Sequence, residues 1–178
     1  MTSNSLLWKI LFPILLACIT DAKRDFSIEV QNISYNISSD ITFLKIFNIS
    51  MENSKVASLD LLFDRNIYKV PAEASLFLLT KSNRRIQIFQ LKSEVCDLLW
   101  QGAKNVFISI MMKQVMEKSN LPHKCPLLKN VLYSVKNYTL NDDSYPAVLP
   151  EGRWQFNLQG SPDNIGVIHL TLRGRIRK

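Results

Sequence analysis

Apolar and polar residues alternate along much of the chain after residue 25, which is the pattern of strands with one buried face. The segment FSIEVQ, residues 26–31, places Phe26, Ile28 and Val30 on one face. The same period recurs in residues 58–64, in residues 153–160 and from Ile168 onwards. Half-buried strands of this kind commonly pair into antiparallel sheets, so the pattern predicts a mainly β protein.

Three other segments are apolar on both faces. They are ITFLKIFNI, SLFLL and IQIFQL, at residues 41–49, 75–79 and 86–91. Such strands predict a sheet that is covered on both sides, or one whose second side lines a cavity. We expect the segments PAEA (71–74) and SPDN (161–164) to be connections, the second a turn between the last two strands.

One segment has the period of an α-helix. In NVFISIMMKQVMEK, residues 105–118, the polar residues form one stripe at a spacing of four: Asn105, Ser109, Lys113 and Glu117. Apolar residues cover the rest of the surface, so we expect the helix to be broadly buried. Asn105 is suited to cap the first turn, and Asn120 with Pro122 ends the helical run.

The first 22 residues have the features of a secretory signal. The apolar run LLWKILFPILLACI, residues 6–19, is short and interrupted by Lys9 and Pro13, and Thr20 and Ala22 are small residues at a plausible cleavage site. We expect cleavage near Ala22, which leaves residues 23–178 as a single secreted, extracellular domain without a transmembrane segment. An uncleaved anchor is the alternative.

The cysteines favour a structural cross-link. Removal of the signal takes away Cys18 and leaves Cys96 and Cys125. An even number of cysteines in an oxidising compartment favours a disulfide, which would stabilise the fold by about 3–4 kcal/mol. His123 lies two residues before Cys125, but a disulfide-bonded sulfur cannot act as a nucleophile. Two histidines and two cysteines without paired spacing are also a poor zinc site, so we expect no metal and no cofactor.

The formal net charge of +7 selects no partner by itself, because lysine and arginine are spread along the chain. In the last strand, however, basic side chains share one face: His169, Arg173, Arg175 and Arg177. This face either keeps the strand soluble and protects an edge, or meets an anionic partner. We expect no nucleic acid partner.

Four N-x-S/T sequons agree with secretion. They begin at Asn32, Asn36, Asn48 and Asn137. Asn32 and Asn36 are an even number of residues apart, so in an extended segment both would point to water. The alternation of Val131, Tyr133 and Val135 instead places Asn137 on the apolar face unless the strand has ended.

The chain lacks the common catalytic motifs. It contains no G-x-S-x-G elbow, no G-x-G-x-x-G loop and no P-loop. An enzyme would have to use carboxylates, of which the candidates are Glu94, Asp97, Asp142, Asp143 and Glu151. Acidic residues near turns are usually solvated, so we expect a protein that is not an enzyme.

Five segments together carry a resemblance to a known family: VCDLLW, the helix, SNLPHKCP, YPAVLPEGRW and LTLRGRIRK. From about Lys55 onwards, the chain resembles an insect secreted family of largely unknown function that includes the CheB chemosensory-specific proteins. That family is in turn similar to the ML lipid-recognition domains and the ganglioside activator protein. The resemblance implies a β-cup, in which two antiparallel sheets surround a hydrophobic pocket, with Cys96 and Cys125 as its paired cysteines.

Two functional hypotheses follow. In the first, the protein carries or presents a lipid or other hydrophobic small molecule, in keeping with a role in chemosensation. The apolar side of the helix then forms a flexible pocket wall, although its methionines are equally compatible with a filled core. The expected pocket residues are Phe77, Phe89, Phe107, Met111, Met112 and Val115. In the second, the core is filled and the protein is a receptor co-factor that binds an extracellular protein through its basic strand face.

Overall fold

The computed structural model describes residues 26–80, 84–102, 104–145 and 150–178. These residues form eight β-strands and two α-helices, with short 3₁₀ turns at residues 142–144 and 162–164. The strands are β1 (Ser27–Ile37), β2 (Leu44–Glu52), β3 (Val56–Phe63), β4 (Pro71–Leu79), β5 (Arg85–Glu94), β6 (Leu132–Thr139), β7 (Gly152–Gly160) and β8 (Ile168–Arg177). The helices are α1 (Val95–Gln101) and α2 (Val106–Glu117).

The strands form two antiparallel sheets. One has five strands in the order β1-β8-β7-β4-β5, and the other has three in the order β2-β3-β6. Helix α2 packs beside β6, next to the smaller sheet. The predicted mainly β, two-sheet antiparallel architecture is therefore confirmed, as is the turn at Ser161–Asn164 between the last two strands.

The predicted helix agrees closely with α2. Its N-cap is Asn105, whose side-chain oxygen accepts hydrogen bonds from the backbone N–H groups of Phe107 (3.0 Å) and Ile108 (3.2 Å). These bonds satisfy two of the amides that a helix start leaves without partners. Burial is narrower than expected, since Ile108 is the one fully buried residue of the helix and Val106 is 57% exposed.

Helix α1 was not predicted, and one predicted connection is wrong. Seven residues are too few for a helical period to stand out from a strand pattern, although Gly102, with φ of 75°, ends α1 as glycine commonly does. Residues 71–74 are not a connection but the first half of β4. Pro71 is tolerated because it is the first residue of the strand, where the ladder needs no N–H from it.

The core consists of two clusters. The first core cluster comprises nine buried residues: Phe26, Ile28, Val30, Ala74, Ile108, Tyr145, Trp154, Phe156 and Ile176. The second core cluster comprises seven: Ile41, Phe43, Phe63, Ile67, Leu99, Leu127 and Tyr133. Met112 packs against both clusters, so α2 joins them.

The predicted disulfide is confirmed. Cys96 and Cys125 are bonded, with their Cα atoms 5.5 Å apart. The bond connects α1 to the segment before β6, and the nearby Leu99 and Leu127 both belong to the second core cluster. It therefore fastens the end of the sandwich that contains the second cluster.

The predicted signal, residues 1–22, and Cys18 lie outside the described residues. Within the described ranges, the structure contains no helix of the length and apolar character needed to cross a membrane.

Candidate functional site: an apolar cavity between the sheets

An apolar cavity of about 100 Å³ lies within the first core cluster, between the two sheets. All five strands of the larger sheet contribute side chains to one wall. The other wall comes from β2, β3, β6 and α2, and from the residues that follow β6. Apolar atoms make up almost the whole inner surface, so the cavity favours hydrocarbon over water.

Strand register explains how the larger sheet forms its wall. Residues opposite one another on paired strands lie on the same face of a sheet and so form rows across it. Two such rows face the cavity. One row is Leu76, Phe156, Leu172 and Ile33, and the other is Leu78, Trp154, Gly174 and Val30. A bulge between Val30 and Asn32 shifts the alternation of β1 by one residue, so Ile28, Val30 and Ile33 all line the cavity.

Gly174 leaves room for the largest side chain in these rows. A Cβ atom at this position would overlap the indole ring of Trp154 and the carbonyl oxygen of Glu29. The absence of a side chain thus allows Trp154 to pack against the backbone of β8. The indole Nε1 is buried and has no hydrogen-bond partner among the described residues.

Aromatic rings connect α2 to the sheet wall. The ring of Phe107 lies 6.0 Å from that of Phe89 and 6.3 Å from that of Tyr145, measured between centroids. Phe89 in turn lies 6.5 Å from Phe156. Contacts of this kind add about 0.5–1.5 kcal/mol each to the burial of the rings. They hold Phe107 and the first turn of α2 in place over the cavity.

Two tyrosine hydroxyls lie among the apolar side chains. Burial raises the pKa of Tyr138 to about 12, while its hydrogen bond with Tyr145 acts in the opposite direction. Burial raises the pKa of Tyr145 further, and the neighbouring Tyr138 and Asp142 add to the effect. The Tyr138 hydroxyl also lies 3.4 Å from Oε1 of Gln114. Both phenols are therefore neutral at physiological pH and present polar but uncharged groups.

The cavity reaches the protein surface at Lys55 and Ile88. These two are the exposed residues among the described residues that line it, and Ile88 is 37% exposed. Lys55 lies in the turn between β2 and β3, and Ile88 lies on β5, an edge strand. The two residues lie towards opposite edges of the larger sheet, because the turn that carries Lys55 bonds to β1 whereas Ile88 lies on β5. We call the opening at Lys55 the mouth of the cavity.

The structure brings together three of the six predicted pocket residues. Phe89, Phe107 and Met111 line the cavity. Phe77, Met112 and Val115 are not among its lining residues. Met112 lies in the packed core between the two clusters. The centroid of the Phe77 ring lies 5.2 Å from the guanidinium carbon of Arg85.

Several cavity residues were absent from the prediction. Trp154, Phe156 and Leu172 lie on strands whose inward faces were evident from their alternation, so that signal could have included them. Tyr138 had no such signal. It faces inwards because two residues, Lys136 and Asn137, lie opposite the single Ser58 between the Leu59–Val135 and Ala57–Tyr138 pairs.

Asn137 itself faces water, contrary to the alternation. Its φ is 52°, a left-handed conformation that asparagine tolerates, and its side chain is exposed although β6 continues to Thr139. Asn32, Asn36 and Asn48 are exposed as well. All four sequon asparagines are therefore accessible in the folded protein.

Two of the candidate carboxylates have structural partners. Asp142 Oδ1 accepts a hydrogen bond of 2.9 Å from the backbone N–H of Ile28, and Glu94 accepts one from that of Val70. Asp97, Asp143 and Glu151 are exposed, as are His123 and His169. No Asp, Glu or His is among the described residues that line the cavity.

A second depression, of about 310 Å³, lies on the outer face of the five-stranded sheet and is polar. Its side chains already bind one another. The Asn157 side-chain oxygen accepts from Gln155 Nε2 (2.7 Å) and Thr171 Oγ1 (3.3 Å), and its amide lies 3.4 Å from Ser75 Oγ. Although this depression is larger, the apolar cavity is the stronger candidate site because its lining is almost wholly apolar and suits a hydrophobic ligand.

A known domain covers part of this site. Residues 73–156 match the family described as "Protein of unknown function (DUF1091)". The match spans just under half of the 178-residue chain, from β4 to β7, and includes the disulfide, α2 and the β4, β5 and β7 positions of the cavity. No curated protein matches the chain.

Proposed function

We propose that this protein is a secreted, non-enzymatic binding protein that takes the apolar part of a lipid or other hydrophobic molecule into the cavity between its sheets. The observation that carries the proposal is a cavity lined almost wholly by apolar side chains and open at the mouth. Burial of hydrocarbon there would contribute about 0.8 kcal/mol per methylene group.

The resemblance to the CheB proteins and, through them, to the ML lipid-recognition domains supports the same function. In this interpretation the sandwich is the β-cup of that group, and chemosensation is its biological setting. The DUF1091 family, which matches residues 73–156, has no known function, so the match gives no information about a ligand.

The size of the cavity limits how much of the ligand it encloses. An apolar cavity of about 150 Å³ holds a benzene molecule, and this one is about 100 Å³. It therefore accommodates a short alkyl segment or a small ring, and a longer ligand would extend through the mouth or displace the Met111 side chain. Methionine adapts its shape easily, so a wall that contains it can widen.

A polar atom on the ligand would also find a partner. The buried Trp154 Nε1–H has no acceptor among the described residues. An unsatisfied buried donor costs about 1–3 kcal/mol, so a ligand oxygen that reached it would remove that cost.

A matched pair of variants on β4 tests the proposal. Leu78 lines the cavity, whereas its neighbour Phe77 does not. We expect Leu78→Trp to fill the cavity and weaken the binding of a fluorescent fatty acid by about ten- to fifty-fold, equivalent to two or three excluded methylene groups. Phe77→Trp should leave binding unchanged. Circular dichroism and thermal melting of both variants would establish that each is folded.

Equal binding by the wild type and a folded Leu78→Trp variant would contradict the proposal. Native mass spectrometry of the secreted protein provides a second readout, because a carrier should retain a bound small molecule that disappears after delipidation and returns on reloading.

A second function is favoured by the charge on the outer face of the larger sheet. Arg153 and Arg175 are directly opposite each other on β7 and β8, and Arg173 is exposed beside them. This concentration of positive charge suits an acidic extracellular protein, such as a receptor for which this chain is a co-factor. Arg173→Glu combined with Arg175→Glu would abolish such an interaction while leaving uptake of a hydrophobic probe unchanged.

A further inference from the structure

The mouth of the cavity has a single charged group, and it is a cation. Lys55 is the one charged residue among the described residues that line the cavity. The other ionisable groups there are the hydroxyls of Tyr138 and Tyr145, which are neutral at physiological pH as tyrosines ordinarily are, and burial raises the pKa of each further. A molecule that enters therefore meets one positive charge and no negative one.

The turn that carries Lys55 is held on both sides. Asn53 and Ser54 have φ values of 52° and 56°, and the backbone N–H of Lys55 donates to the carbonyl oxygen of Glu52 at 3.3 Å. Two successive positive φ values are characteristic of a type I′ hairpin turn. On the other side, the Ser54 carbonyl accepts a hydrogen bond of 3.0 Å from the backbone N–H of Val30, which belongs to the opposite sheet.

This second bond lies next to the bulge in β1, an edge strand whose alternate N–H groups point away from β8. The register of β1 against β8 shifts between Val30 and Asn32, and at that point the Val30 N–H bonds to the Ser54 carbonyl. The turn between β2 and β3 is thereby fastened to the larger sheet at the same place where Val30 lines the cavity. Lys55 consequently has a fixed backbone position at the mouth.

The ammonium group of Lys55 is available to a ligand. The ion pairs among the described residues involve other lysines, namely Lys45, Lys92 and Lys136. Glu52 lies in the same turn, but its carboxylate makes no ion pair with Lys55 and does not line the cavity. An exposed lysine can extend its alkyl stem along apolar surface while its charge stays in water.

We infer that the cavity selects single-chain amphiphiles with an anionic head, whose alkyl end lies in the cavity and whose head pairs with Lys55 at the mouth. This inference depends on the proposed function, and it specifies the chemical class of the ligand. Carboxylates and phosphates share the required charge, so fatty acids and alkyl phosphates are the two sources to compare. Because the pair is exposed to solvent, its contribution to affinity is a preference of about two- to five-fold.

The experiment compares three ligands that have the same alkyl chain. Decanoate, decyl phosphate and decanol would each displace a neutral fluorescent probe from the full secreted protein, at low and at high salt. We expect the wild type to bind the two anions about two- to five-fold more tightly than the alcohol, with the preference reduced at high salt because exposed charges are screened.

Lys55 variants identify the source of the preference. Lys55→Gln should equalise the three affinities without weakening decanol, and Lys55→Glu should reverse the preference. Lys129→Gln is the matched control, because Lys129 is also exposed but lies in the loop before β6 and does not line the cavity. It should behave as the wild type.

The outcomes separate this inference from the proposed function. If decanol and the anions bind equally well to the wild type, or if Lys55→Gln keeps the preference, the inference is overturned and the proposed function stands. If decanoate but not decyl phosphate binds more tightly than decanol, the ligand class is the fatty acids rather than the alkyl phosphates. If none of the three ligands displaces the probe, the proposed function fails and this inference fails with it.

Discussion

At the scale of single residues, a glycine decides how the largest side chain of the cavity wall packs. Gly174 lies directly across from Trp154 on the neighbouring strand, in the row that also contains Leu78 and Val30. The indole ring and the Glu29 carbonyl oxygen occupy the space that a Cβ atom would need. Glycine is poorly suited to strands in general, so here close packing outweighs local preference.

Gly174→Ala is therefore expected to lower the free energy of unfolding by about 1–3 kcal/mol, the usual cost of overpacking a core. Urea denaturation of the two proteins would measure the difference. Gly160→Ala is the control, since a Cβ atom at that position would have its nearest contact at 3.7 Å, with a Val70 side-chain carbon. A Gly174→Ala protein as stable as the wild type would show that Trp154 and the backbone of β1 at Glu29 can both move without cost.

Single residues also show the limit of sequence reasoning about the site. Met111 and Met112 are neighbours on α2 and look equivalent in the helical pattern, yet Met111 lines the cavity and Met112 packs between the two core clusters. Side chains one residue apart on a helix point about 100° away from each other, and which of them meets open space depends on what lies opposite.

At the scale of elements, α2 and the disulfide contribute to different parts of the fold. Helix α2 contributes Phe107 and Met111 to the cavity, whereas the disulfide connects α1 to the segment before β6 beside the second core cluster. Cross-linking stabilises chiefly by restricting the unfolded chain, and the loop that this bond closes spans 29 residues.

Replacing both cysteines tests whether the disulfide stabilises the fold without shaping the cavity. We expect Cys96→Ser with Cys125→Ser to lower the free energy of unfolding by about 3–4 kcal/mol on the loop-entropy estimate, as measured by urea denaturation. Because the cavity belongs to the first core cluster, the fraction of protein that remains folded should still bind a hydrophobic probe. Loss of binding in a folded double variant would show instead that the bond shapes the cavity.

At the scale of the whole molecule, the four sequons follow the edges of the sheets. Asn32 and Asn36 lie on β1, Asn48 on β2 and Asn137 on β6. Each of these three strands is the outer strand of its sheet. Exposed edge strands can pair with other chains and aggregate, and a bulky glycan on such a strand would prevent this.

Our proposal places this chain in the secretory pathway, so we expect it to carry glycans at these positions, seen as a loss of mass after enzymatic removal of N-linked sugars. A variant with Asn32, Asn36 and Asn48 changed to glutamine and Thr139 changed to alanine, which retains the left-handed Asn137, should keep its fold and its hydrophobic-probe binding but should associate at high concentration. Light scattering of the two proteins would measure this. A variant that is fully monomeric at every concentration would rule out a protective role for the glycans.

The sequence by itself determined most of the local structure. Alternation identified the strands that begin near Phe26, Ser58, Arg153 and Ile168, and the four-residue spacing with Asn105 at its start identified α2. The pairing of Cys96 with Cys125 followed from counting. These features depend on residues close together in the chain, or on very few alternatives, so one-dimensional patterns suffice.

The tertiary structure alone decided which side chains surround the cavity and where it opens. Lys55 gave no signal in the sequence, and it lies at the mouth because its turn bonds to the edge strand of the opposite sheet, through the Val30 N–H and the Ser54 carbonyl. Tyr138 faces inwards through a second bulge. Strand register and bulges are set by contacts between residues far apart in the chain, and a shift of one residue moves a side chain from one face of a sheet to the other. A filled core and an open cavity use the same apolar residues, so only packing in three dimensions distinguishes them.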